Sequence, residues 1–98
     1  MSPADFARLL ASTDGWHAAS CRVKRKGDGD AVEAVAARLN ASVVERAAGS
    51  ASLHAVTPSG GHVALLVKAN DKRLKIEVKA SDAALADLVV AELGGLAV

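Results

Sequence analysis

Aromatic rings, cysteine and net charge are all scarce in this chain. Phe6 and Trp16 are the only members of the Phe, Trp and Tyr group. Readers of single-stranded nucleic acid stack bases on such rings, so their scarcity argues against that class. Cys21 is the one cysteine, which excludes an internal disulfide and fits a reducing compartment. The formal charge is +1 over 98 residues, so no global field steers the chain to a polyanion or a membrane surface. No apolar run reaches membrane-spanning length, and the first residues do not read as a signal peptide. The length corresponds to one domain, 1–98, with a single modest core.

Motifs for chemistry are missing too. His17, His54 and His62 are spread out, with no pair of the Cys-x-x-Cys or His-x-x-x-His kind that binds zinc. His17 and Cys21 are four apart, but on a strand that spacing is about 13 Å, too far for one ion. Gly27-Asp28-Gly29 and Ser59-Gly60-Gly61 match no phosphate loop and read as tight turns. Cys21 has no local signature of a nucleophile and reads as a small inward residue. No acid, base and nucleophile converge. The expectation is therefore a protein without enzymatic activity, with no cofactor and no metal.

The strongest structural signal lies between Gly61 and Leu93. His62 to Lys68 is an apolar run bounded by Gly60-Gly61 and Asn70-Asp71. Arg73 to Lys79 then alternates, with Leu74, Ile76 and Val78 on one face and Lys75, Glu77 and Lys79 on the other. That period predicts a strand with one wet face. Ser81 is the expected helix cap, with Asp82 in the first turn. Leu85, Leu88, Val89 and Leu93 form a helical stripe that Gly94-Gly95 ends.

The upstream half repeats the mixture. Ser2, Pro3 and Asp5 start a helix carrying Phe6, Leu9 and Leu10, and Thr13-Asp14-Gly15 stops it. From His17 to Lys24, Ala19, Cys21 and Val23 alternate with Ser20, Arg22 and Lys24, as in an edge strand guarded by cations. An exposed turn at Lys26-Gly27-Asp28-Gly29 follows. Asp30 to Glu33 has capping-box spacing, Val32, Val35, Ala36 and Leu39 continue the helix, and Asn40 closes it. Ser42–Arg46 and Ala51–Val56 are weaker strands around Ala48-Gly49-Ser50. Four strands joined by short turns must form an antiparallel meander. The expected class is α+β: an antiparallel sheet of about five strands backed by two to three helices, in the order helix, strand, helix, four strands, helix.

Several of these residues resemble the C-terminal platform subdomain of vesicle-coat appendages, the ears of adaptor-complex large subunits and of coatomer gamma. Ser2-Pro3-Ala4-Asp5-Phe6 is similar to the start of the adaptor beta-subunit platform, where a Phe begins the first helix. The run Asp30 to Leu39 resembles the helix that this family places before its meander. Leu74 to Asp82 resembles its penultimate strand and the start of its last helix.

The resemblance implies a TBP-like platform that binds short linear motifs of accessory or coat proteins during intracellular protein transport. It implies a monomeric domain of a larger subunit, cytoplasmic and on vesicle coats or at Golgi and endosomes, touching membranes only indirectly and nucleic acid not at all. Beta-type platforms carry a Trp four residues after that Phe and a Tyr just after the middle helix; here Leu10 and Val44 stand in those places. The motif bound should differ accordingly. Leu10, Trp16 and Val44 are the expected groove residues, and Arg22, Lys24 and Arg25 the rim for acidic flanks of a peptide. A small dimerising scaffold of the roadblock type is the alternative, and would need a self-complementary apolar surface.

Overall fold

The alternation along Arg73–Ala80 dictates the geometry of the whole molecule. Leu74, Ile76, Val78 and Ala80 are fully buried, while Arg73, Lys75, Glu77 and Lys79 are exposed. A strand with one dry face demands a layer over that face. The computed structural model describes residues 2–11, 16–24, 30–58, 60–70 and 72–94. Its elements are α1 (Pro3–Ala11), β1 (His17–Lys24), α2 (Ala31–Leu39), β2 (Ser42–Ala47), β3 (Ser50–Val56), β4 (His62–Ala69), β5 (Arg73–Ala80) and α3 (Ala83–Gly94). This is the expected α+β order. The turns placed at Thr13-Asp14-Gly15 and Lys26-Gly27-Asp28-Gly29, together with Arg25, lie outside the described residues.

All five strands form one antiparallel sheet in the order β1-β5-β4-β3-β2. β2 to β5 are a meander, as short turns require; Gly49, at a φ of +76°, supplies the left-handed backbone of the tight β2–β3 turn. β1 docks on the free edge of β5, so that Ala19, Cys21 and Val23 face Val78, Ile76 and Leu74. The edges are thus β1 and β2, and β2 is irregular between Val43 and Glu45.

Helices α2 and α3 cover one face. Val35 and Ala36 from α2 and Ala86, Val89 and Leu93 from α3 join Leu53, Leu65, Val67 and Ile76 in a single core. The α3 stripe differs from the expected one in one respect: Leu88 is 58% exposed and Ala86 is buried in its stead. Ala86, Val89 and Leu93 recur at three and four residues, and a small residue at the contact lets the helix approach the sheet closely.

Caps are local and follow from residue type. Asp30 accepts hydrogen bonds from the backbone N–H groups of Val32 and Glu33, and Asn40 closes α2 in the left-handed region at a φ of 52°. The Asp30 carboxylate also holds the Arg46 guanidinium at 2.9 Å through both oxygens, tying α2 to β2. That bond, with the backbone bond from Glu33, holds the Asp30 carboxyl below its usual range. At α3 the cap is Asp82, whose oxygen accepts from Ala84 N–H at 2.7 Å. Ser81 is diverted: its hydroxyl accepts from His62 N–H, fastening the start of β4.

Candidate functional site

The second face of the sheet has one helix over it, and it divides into three zones. Over it, in contact with the edge strand β2, lies α1, started by Ser2, whose hydroxyl accepts from Asp5 N–H. A nine-residue helix with apolar residues at 6, 9 and 10 has a narrow stripe, and Phe6 is the sole side chain it buries. Phe6 is 6% exposed, whereas Leu10 is 36% exposed. Beside them an open hollow of about 210 Å³ runs between Phe6, Leu10, Ala64, Leu66, Glu77 and Lys79. It has an apolar floor, with one acid and one base at its border.

The second zone is a row of rings at the β4 start. Trp16 stacks on His62 with ring centres 6.2 Å apart, and His62 stacks on His54 at 5.3 Å. His54 Nε2 and His62 Nδ1 are 3.0 Å apart. One of these nitrogens must donate and the other accept, so at least one ring of the pair is neutral. Burial, then the charge of His62, pushes His54 below the ordinary imidazole value. An imidazole whose folded value is lowered stabilises the fold above the unfolded value, about pH 6.5, and that stability is lost as pH falls through the folded value. The melting temperature should therefore drop from neutral to mildly acidic pH, and His54→Gln, which keeps a hydrogen-bonding side chain without the charge, should flatten that drop. Parallel thermal melts across this range check it; equal slopes for both proteins would remove the pair from the account.

The third zone is cationic. Arg22 lies opposite Lys75 and Lys24 opposite Arg73, and Arg22, Lys68, Arg73 and Lys75 border a hollow of about 420 Å³. The expected site residues are therefore distributed. Leu10 borders the hollow beside α1, Trp16 stands against His62, and Arg22 and Lys24 line the cationic end. Val44 sits at the irregularity of the outermost strand β2 and borders none of these hollows. Sequence reasoning missed the His54–His62 pair and the share of Lys68, Arg73 and Lys75, because both depend on strand register.

Other chemistry finds little support here. Among the described residues no three His, Cys, Asp or Glu side chains gather as metal ligands. Burial pushes the half-buried Cys21 thiol up, away from the reactive thiolate. No described helix is long and apolar enough to cross a membrane. A family model described as the AP3 Mu C-terminal domain matches residues 1–97. No curated protein and no solved structure matches the chain.

Proposed function

Because the chain belongs to the family of AP3 Mu C-terminal domains, we propose that it is a non-enzymatic interaction module of a vesicle-coat adaptor that docks a short linear peptide beside α1. The family makes it the C-terminal domain of an adaptor subunit, with a role in vesicle trafficking. The match is to a mu subunit, so it bears on the adaptor expectation but lends no weight to a beta- or gamma-type ear, or to a roadblock-type scaffold. Peptide docking, protein partners within a larger adaptor complex, and a place on vesicles, Golgi or endosomes are parts of the proposal.

One observation supports the docking reading above the others. Phe6 is the one fully buried side chain of α1, and Leu10, partly exposed, borders an apolar hollow together with Glu77 and Lys79. Apolar anchors in such hollows supply most of the binding energy of a peptide, while border charges set its orientation and on-rate. Trp16, half-buried on His62, is the second anchor on this face. Val44 stays in the proposal as the residue where β2 departs from regular pairing.

A peptide library displayed on phage and selected on the folded domain tests this. The expected result is an enriched motif with apolar residues, bound more weakly by Leu10→Asp. Trp16→Ala should cost about 2 kcal/mol or more of binding energy if it is an anchor. Should the Trp16 variant fold and bind like wild type, Trp16 only packs. Should no motif be enriched, the docking reading falls.

A further inference from the structure

Two of the three histidines stand on neighbouring strands of the outward face and meet there. His54 lies opposite Ala64 and His62 opposite Val56 in the β3–β4 register, so the two are diagonal neighbours. Imidazoles reach across such a diagonal, and His54 Nε2 comes to 3.0 Å from His62 Nδ1. Both residues are half-buried, so solvent and small ions reach them.

The fold gives no reason for histidine at either place. Ala64 and Val56 across from them are apolar, and a β-branched residue suits a strand better than an imidazole does. The pair is also a liability on acidification, because a second proton sets two cations face to face. Spacing along the chain predicts no metal, since the two are eight residues apart. Strand pairing creates the proximity that spacing lacks.

We propose that His54 and His62 form a two-imidazole site for a divalent transition-metal ion that prefers square-planar or octahedral ligands, Ni(II) or Cu(II). Metal–imidazole bonds of about 2.0–2.1 Å to nitrogens 3.0 Å apart enclose an angle of about 90°. That is the angle between neighbouring ligands of such ions, whereas tetrahedral zinc needs nitrogens about 3.4 Å apart. Rotation of the rings about their Cβ–Cγ bonds, a soft torsion, turns both lone pairs to one point. Both rings bind as neutral imidazoles: the shared proton moves through solvent to the outer nitrogen of its own ring, and the neutral pair releases no net proton. Burial favours the neutral form of His54, which is the form that binds metal. No third His, Cys, Asp or Glu joins the pair among the described residues. Water therefore fills the remaining positions, and the ion exchanges freely. This inference is independent of peptide docking beside α1.

Titration of the domain with Ni(II) is the test, because this ion leaves the Cys21 thiol unoxidised. Trp16 is the one tryptophan and stacks on His62 at 6.2 Å, so its fluorescence reports an ion bound beside it. The expected result is saturable one-to-one quenching with a matching calorimetric heat, weakening from neutral to mildly acidic pH as protons compete for the rings. His54→Gln and His62→Gln, each checked for folding by circular dichroism, should each weaken binding about tenfold or more, since the second imidazole acts at high effective concentration. His17→Gln removes an exposed histidine from the other face of the sheet and should change little. Cu(II), titrated into Cys21→Ser, should bind more tightly than Ni(II), and Mg(II) should not bind. The proposal is overturned if no saturable binding is seen, if either folded variant of the pair binds like wild type, if His17→Gln weakens binding as much, or if Mg(II) quenches equally.

Discussion

Ile76→Asp should leave the chain unfolded. Ile76 is 0% exposed, in a strand paired on both sides, with Cys21 opposite on β1 and Val67 opposite on β4. Its inward neighbours along β5 are Leu74 and Val78, and α2 and α3 close the core above. Among the described residues its neighbours on that face are apolar, apart from the weak S–H donor of Cys21. Burying one unpaired charge costs several kcal/mol after relaxation, against a total stability of about 5–15 kcal/mol for a domain. Circular dichroism with a thermal scan decides the matter. A cooperative melt near that of wild type would mean that Ile76 does not face the core, and the register of β5 against β1 and β4 would be in error.

Phe6→Ala should have the next largest effect, and a different kind of effect. Phe6 is buried but stands apart from the main core, on the opposite side of the sheet from α2 and α3. Removing a buried Phe costs about 3–5 kcal/mol where the surroundings cannot collapse. Here an alternative exists: a nine-residue helix is too short to persist unsupported, so α1 should undock and melt by itself. Hydrogen exchange should show α1 amides losing protection while those of β4 and β5 keep theirs. Peptide docking beside Leu10 should vanish in the same variant. Loss of protection across the whole sheet would instead make α1 an integral part of the core.

Local signals were sufficient wherever the cause lay within a few residues. The alternation of Leu74, Ile76 and Val78 with lysines and a glutamate is readable without coordinates, because a strand turns successive side chains to opposite faces. Asp30 and Asn40 announce the ends of α2 because a short polar side chain satisfies the adjacent backbone. The turn at Gly49 makes β2 and β3 neighbours, and short connections then force the meander. By itself, then, the sequence determined the elements, their order and the α+β class.

Decisions between distant residues needed the tertiary structure. Ser81 and Asp82 are both competent caps; the docking of β4 occupies the Ser81 hydroxyl, and the task falls to Asp82. Leu88 is more apolar than Ala86, yet the close approach of α3 to the sheet buries the alanine and leaves the leucine outside. Arg22 and Lys75 are more than fifty positions apart, and they meet only because β1 adds to the far side of β5. The β3–β4 register likewise joins His54 to His62, and the docking of β1 on β5 sets Trp16 beside them. A shift by one residue would turn every one of these side chains to the other face, and burial of the opposite face holds the register in place. Candidate chemistry on this domain is a property of that pairing, since no segment contains more than part of any of its three zones.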